Sequence, residues 1–271
     1  MALWAGAVNQ AVAVGSIGIT GANNATYPNS QYDLAADLIG LRLALNPSAV
    51  SVVPLEPASV LTNDILTAGP AANGRDQSGA FSASSWVHFY WIWNGTTLAT
   101  VSSASATGPT MPTGYTHWAY AAAVRLDENG HLVKTRHAGA WAYYAETQGI
   151  GSGTLGDPVS GVVTTSVTAY VPPNALAFEV AWYGSLAYTN NNCGAFREFR
   201  FAVGPSSTAL VLRDTAATAV GGSRGGFGSS AILPASQNVA YMFESNTATC
   251  GGSVVAGAIH LMGYKLPNGG E

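Results

Sequence analysis

Strand signals dominate the pattern of apolar and polar positions along the chain. Runs that alternate with a period of two, or that are rich in β-branched residues, recur between clusters of Gly, Pro and Asn. The clearest run is Ser85–Trp93, followed by Asn94-Gly95. Both positions of that dipeptide accept positive φ, which favours a two-residue hairpin turn. Its partner strand is expected over Thr96–Ser103. A Pro/Gly segment, Gly108–Gly114, comes next, then a strand over Tyr115–Leu126, a turn at Asp127–Gly130 and a strand over His131–Arg136. Pro109 and Pro112 fix φ and lack N–H donors, so their segment is a rigid connection outside any ladder. Gly114 permits a tight turn before Tyr115, whose ring is expected to pack beneath the loop with its hydroxyl bonded.

More strands are expected after the loop Gly149–Pro158. They lie near Val162–Val171, Ala175–Tyr183, Glu198–Val203, Ala209–Leu212, Asn238–Glu244 and Val254–Leu266. Gly221–Gly228 reads as a long flexible loop. One segment departs from period two. Leu34, Leu38, Leu41 and Leu45 recur at three- and four-residue spacing, which predicts a helix over Tyr32–Leu45. Asp33 would cap it and Asn46-Pro47 would stop it. The whole pattern predicts an all-β chain of β-sandwich or jelly-roll units with one short helix near the N-terminus. Three parts are expected: an N-terminal segment over 1–50, a first β-sandwich unit over 51–155 and a second β-rich unit over 156–271. One continuous sandwich is the alternative for the last two.

The strand Trp86–Trp93 is bulky on both sides. One face carries Trp86, His88, Tyr90 and Ile92, and the other carries Val87, Phe89, Trp91 and Trp93. A half-solvated strand would place Ser or Thr on one of them. Cover is therefore expected on both faces, from the sandwich core on one side and a further element or subunit on the other. An aromatic platform for a sugar ring is the competing reading; core and interface packing is favoured, because aromatics dominate buried contacts.

Composition sharpens this picture. Charged residues make up 9% of the 271 positions, against about 25% in an average soluble protein. There are 32 glycines and 13 prolines, and lysine occurs only at 134 and 265. Seven Trp and twelve Tyr exclude disorder, and the small Glu/Lys/Arg supply excludes a coiled coil. A net charge of −4 gives no electrostatic footprint for nucleic acid. A surface of Ser, Thr, Asn, Gly and Ala suits a subunit that buries itself against copies or partners, where charge is depleted. No apolar run of about 18 residues occurs, so no membrane insertion is expected. The start, Met1–Gln10, lacks a basic leader pattern, which predicts a chain made in a cytosol and used without processing.

The search for chemistry is mostly negative. His88, His117, His131, His137 and His260 form no His-x-His or His-x-x-x-His pair. His131 and His137, six apart, are expected on one face of a strand. No Gly-x-Ser-x-Gly elbow occurs, and the glycine-rich segment 221–228 lacks the Gly-Lys-Ser/Thr ending of a phosphate cradle. The fourteen acids are scattered, and Asp127 with Glu128 reads as a solvated turn. Cys193 and Cys250 lie in Asn/Gly/Thr-rich sequence, where a disulfide and two reduced thiols are both compatible with the spacing. No catalytic, metal or cofactor-binding residue is expected, and no enzyme activity.

The block from Trp86 to Gly139 carries a recognisable series. It runs His88 within Trp-Val-His-Phe-Tyr, Asn94-Gly95, Ser102–Thr107, Pro109-Thr110-Met111-Pro112-Thr113-Gly114-Tyr115-Thr116, Ala123–Leu126 and Asp127–Gly130. This block resembles a module of tailed bacteriophages and prophages, found in tail-fibre-like and other virion-associated proteins. It covers about a fifth of the chain, and its Pro/Gly/Tyr part is the most specific. Members of that family carry a pair of arginines after Tyr-Thr; His117-Trp118-Ala119-Tyr120 stands there instead. Val254–Leu266 is similar to the closing strand of phage appendage domains. The resemblance implies a structural virion protein, a tail fibre or tail/neck appendage subunit, assembled in the host cytoplasm. It also implies other virion proteins as partners and association of copies, trimers being common in such fibres. A capsid decoration or head-fibre protein is the alternative, and a protein that binds or degrades host surface glycan is a third.

Under this reading Trp4 and the helix near 33–45 dock the N-terminal segment to the particle. Trp91, Trp93 and Trp118 are the candidates for packing against neighbours. Tyr188, Asn191, Arg224 and Phe227, on loops 188–196 and 221–230, are the candidates for an outward-facing contact with a host glycan.

Overall fold

In a computed structural model, the residues described are 15–43, 46–54, 59–154, 163–187, 224–232, 237–241 and 253–268. All regular structure among them is strand. In chain order these are β1 (Gly15–Ile17), β2 (Thr20–Asn23), β3 (Gln31–Ala35), β4 (Leu38–Leu43), β5 (Asn46–Pro54) and β6 (Leu61–Asp64). Then come β7 (Gly74–Arg75), β8 (Trp86–Trp93), β9 (Leu98–Ser103), β10 (His117–Arg125), β11 (Thr135–Ala138) and β12 (Trp141–Thr154). The last five are β13 (Val163–Ser166), β14 (Ala177–Ala187), β15 (Arg224–Ile232), β16 (Asn238–Tyr241) and β17 (Ser253–Lys265).

The chain divides into two units that are not consecutive segments. The first gathers residues up to Ala145, the short segment Pro172–Leu176, and the chain from Tyr264 onward. The second gathers Glu146–Val171 and Ala177–Gly263. This differs from the expected division into 1–50, 51–155 and 156–271. Residues 15–43 supply core strands of the first unit, and strands β12 and β17 each carry the chain from one unit to the other.

The first unit is a sandwich. One sheet has the order β1-β4-β10-β8-β9-β7, with β5 on the free side of β4. The other runs β12-β11-β2-β3-β6 within the unit. Period-two patterning builds both. Tyr32 and Leu34 of β3 point inward while Gln31, Asp33 and Ala35 stay partly exposed. Thr135 and His137 of β11 point inward, Arg136 and Ala138 outward. Between the sheets, Tyr32 stacks on Phe89 with ring centroids 5.1 Å apart. Trp91 is fully buried beside them, and its indole N–H donates to Ser16 Oγ at 3.0 Å.

The helix expected over Tyr32–Leu45 is not formed over its described part; Ala44 and Leu45 lie outside the described residues. The segment is two strands, β3 and β4, separated at Ala36-Asp37. Tyr32, Leu34 and Ala36 are buried at period two, the break resets the phase, and Ile39 and Leu41 are buried next. Two offset strands thus mimic the leucine spacing of one helix.

Strand β8 is covered on both faces, as its composition requires. Val87, Phe89 and Trp91 enter the inter-sheet core. His88, Tyr90 and Ile92, on the other face, are equally buried. That face is closed within the same unit by the connection after β9, by Pro172–Leu176 and by Tyr264. Tyr90 donates its hydroxyl to Ser105 O at 2.6 Å, and Tyr264 packs edge-on against Trp86 at 5.3 Å. Tyr264 also donates to Ala123 O at 2.8 Å. Asn268 Nδ2 donates to Ala121 O and Gly139 O, and its own carbonyl accepts from Ser16 N–H.

Turn chemistry refines two of the connections. Trp93 pairs with Leu98, so the β8–β9 loop has four residues rather than two. Asn94 Oδ1 accepts from the N–H groups of Thr96 and Thr97, and Gly95 takes the positive φ of 103°. At Asp127–Gly130, Asp127 Oδ1 accepts from Asn129 and His131 N–H, as a turn there demands. Tyr115 is half-buried, but its hydroxyl makes none of the hydrogen bonds found among the described residues; β10 starts only at His117.

In the second unit, β14 lies between β15 and β17. Register runs from Phe178↔Ile232 to Leu186↔Arg224 along β14 and β15. The pair β13–β16 stands apart as a two-stranded ribbon, extended by Val167 N–H donating to Gln237 O. The described parts of two expected loops are therefore strands, and residues 155–158 and 221–223 lie outside the described residues. Residues 224–228 of the glycine-rich segment lie in β15, and residues 149–154 continue β12. Their main-chain groups pair although the side chains offer no apolar alternation for sequence reading to detect.

The buried histidines set an acid limit on stability. Burial pushes the imidazoles of His88 and His137 down to about 4. In the unfolded chain both return to about 6.5. The unfolded state then binds more protons between these values, so stability is complete above about pH 6.5 and falls as pH drops toward 4. Each site accounts for about 3 kcal/mol over that window. Thermal unfolding midpoints measured from pH 7 to pH 4 are expected to fall steadily, and His137→Leu to flatten the slope.

Candidate functional site

One end of the first sheet gathers the half-buried aromatic residues. Here β4 ends, β8 ends and β10 begins. Register aligns Leu43, His117 and Trp93 across one face, and Arg42, Trp118 and Ile92 across the other. Trp93 packs against the edge of the core, with its ring 5.3 Å from that of His117. His117 is bonded through Nδ1 to Thr116 Oγ1 at 2.9 Å.

On the opposite face the Arg42 guanidinium carbon sits 4.1 Å from the centre of the Trp118 ring. A cation over the negative face of an indole is attracted by its quadrupole, by about 0.5–2 kcal/mol depending on desolvation. Trp118 meets Tyr90 edge-on at 5.4 Å. Gly108 of the connection after β9 lies flat against the indole, and a Cβ there would stand 3.1 Å from its Cζ2. A side chain at 108 would press on the ring, which would have to give by a few tenths of an ångström.

Deeper on the same face lies a polar chain. Tyr120 donates its hydroxyl to Asn174 Oδ1 at 3.4 Å and contacts His88 Nδ1 at 3.0 Å. With its proton given to Asn174, the hydroxyl accepts from an N–H at Nδ1, which fixes the neutral tautomer of His88. Burial holds the Tyr120 hydroxyl well above its usual titration range. The three side chains form a hydrogen-bonded chain that ties Pro172–Leu176 to β8 and β10. No group of three or more His, Cys, Asp or Glu capable of holding a metal occurs among the described residues. His131 and His137 do not share a face: His131 is exposed beside Asp127, and His137 is buried in the core.

The expected interface residues divide accordingly. Trp91 is not a contact residue, because it is fully enclosed between the sheets. Trp93 and Trp118 are brought to the same end of the sheet, each half-buried. Arg224 and Phe227 belong to β15, where they pair with Leu186 and Tyr183, rather than to an outward loop. Trp4, Tyr188 and Asn191, together with Cys193 and Cys250, lie outside the described residues. Arg42 was hidden by the helical reading of its segment; as the lone cation between Leu41 and Leu43 on an alternating strand, it would have pointed away from the core.

Comparison with family models, with curated proteins and with solved structures gives no match for this chain. A double-mutant cycle tests the strongest contact at this end. Arg42→Met and Trp118→Leu are expected to couple by about 0.5–2 kcal/mol in chemical denaturation, and additive losses would show that the guanidinium contributes nothing to the ring.

Proposed function

We propose that the chain is a structural subunit of a bacteriophage virion, a tail fibre or tail/neck appendage component that assembles with copies of itself. The observation that carries this reading is the Trp86–Gly139 motif block. Its pieces fall on β9, β8 and β10, three neighbouring strands of one sheet, on the connections between them and on the turn that follows β10. A block whose residues serve one contiguous piece of scaffold is what a shared structural module requires.

Surface chemistry supports the association of copies. With 9% charged residues, bringing two surfaces together strips water from few ions, and that desolvation is what makes charged contacts costly. The aromatic end of the first sheet offers Trp93 and Trp118 as partly exposed anchors, the residue type that dominates interface energies. Exposed Ile17, Val60, Leu66 and Leu176 add apolar area. In this role the protein acts mechanically: it holds shape and position within a particle, and the β ladders provide the rigidity.

Size-exclusion chromatography with light scattering on the full chain tests the reading directly. A closed oligomer that persists on dilution is expected, with Trp93→Ala and Trp118→Ala shifting it toward monomer. Tryptic mass spectrometry of purified virions should find the chain. A stable dilute monomer that is missing from the particle would overturn the proposal.

A further inference from the structure

The solvent-facing side of the second sheet in the first unit carries an arrangement that association of copies does not use. Register places Thr62, Asp33, Ala22, Arg136 and Tyr143 in one row across β6, β3, β2, β11 and β12. The next row holds Ala35, Thr20, Ala138 and Trp141. The middle positions are small, so a trough of about 410 Å³ lies over β2 and β11 between taller neighbours. A second depression of about 330 Å³ continues it toward Asn24 and Lys134, and Arg136 borders both. With strands about 4.8 Å apart, Asp33 and Tyr143 stand roughly 14 Å from one another across the face.

Three properties narrow the occupant. Trp141 and Tyr143 stack nearly parallel, with centroids 5.9 Å and planes 19° apart, and Tyr143 is exposed. Exposed rings of this kind attract a partner that is apolar on one flat side and polar at its rim. A pyranose meets that description, since its axial C–H bonds form an apolar face and its hydroxyls surround it. Asp33 is held in place, accepting from Thr62 Oγ1 at 2.6 Å and from Asn24 Nδ2 at 3.1 and 3.0 Å. A carboxylate fixed in this way keeps lone pairs for further hydroxyl donors. Arg136 is exposed, and no described carboxylate forms an ion pair with it. A free planar guanidinium matches the two oxygens of a carboxylate, and Lys134 adds a second positive charge at the adjoining depression.

We propose that this face binds an acidic saccharide. One sugar ring lies on the Tyr143–Trp141 pair, its carboxylate meets Arg136, and hydroxyls of a neighbouring sugar reach Asp33. Each feature selects against a simpler ligand. A neutral sugar leaves the guanidinium unmatched, and a small inorganic anion leaves the rings and the trough uncovered. The inference does not rest on the virion reading, and a titration decides it independently of oligomeric state.

The test is calorimetric titration of the full chain with oligomers of galacturonate, of hyaluronan and of sialic acid, alongside neutral galactose oligomers and sodium sulfate. Saturable binding is expected for at least one acidic oligomer, on the order of tenfold tighter than for the neutral one. Arg136→Gln should weaken it on the order of tenfold, with Arg136→Lys recovering part of the loss. Tyr143→Ala should weaken binding while Tyr143→Phe preserves it. Both positions are exposed, so an unchanged melting temperature confirms that the variants fold. Failure of all three acidic oligomers, equal affinity in R136Q and Y143A, or displacement by equimolar sulfate would overturn the proposal.

Discussion

The fold depends on keeping one strand dry on both sides. Strand β8 presents eight consecutive residues, Trp86 to Trp93, that include three Trp, a Phe and a Tyr. Neither face tolerates water, so a single opposing sheet cannot satisfy it. Tyr32, Leu34, Ile39 and Leu41 fill one side. The other is roofed by pieces drawn from distant parts of the chain: Ser105 and Gly108, Asn174, and Tyr264. The non-local character of the fold follows from this need. Residues remote in sequence must assemble around one hydrophobic blade before any of them is stable.

The same demand explains the polar groups that the interior accepts. Trp91, Tyr90, Tyr120 and Tyr264 each bring one hydrogen-bonding atom into the dry region, and each finds a partner in Ser16, Ser105, Asn174 or Ala123. Leaving such an atom alone would cost about 1–3 kcal/mol. These partners fix where the covering segments lie, which apolar contacts alone would leave free to slide.

The all-β class was legible in the sequence because alternation is a local signal that burial reads directly. The double-sided burial of β8 was legible for the same reason. What failed did so for identifiable causes. Leu34, Leu38 and Leu41 matched a helical stripe because two strands were joined with a phase slip at Ala36-Asp37. Residues 224–228 read as loop because glycine carries no facing signal, although its main chain pairs with β14 along the register. The division into units was hidden because the first unit is closed by segments far from its start. Of the candidate residues, Trp91 and Trp118 look alike in sequence. Only the register shows that Trp91 faces Ala119 inside the sandwich, whereas Trp118 lies under Arg42. The outward row of Asp33, Arg136 and Tyr143 left a weaker trace, the alternation Trp141, Tyr143, and it became a surface only when four strands were set side by side.

The closing of the first unit by Tyr264 and Asn268 bears on how the molecule is made. A ribosome delivers residues 15–145 long before it delivers those two. Until then Ser16 N–H, Ala121 O, Ala123 O and Gly139 O await the late-arriving partners that bind them in the finished protein. The first part of the sandwich therefore waits on partners more than a hundred residues further along the chain, and a product that stops before Tyr264 carries an open seam.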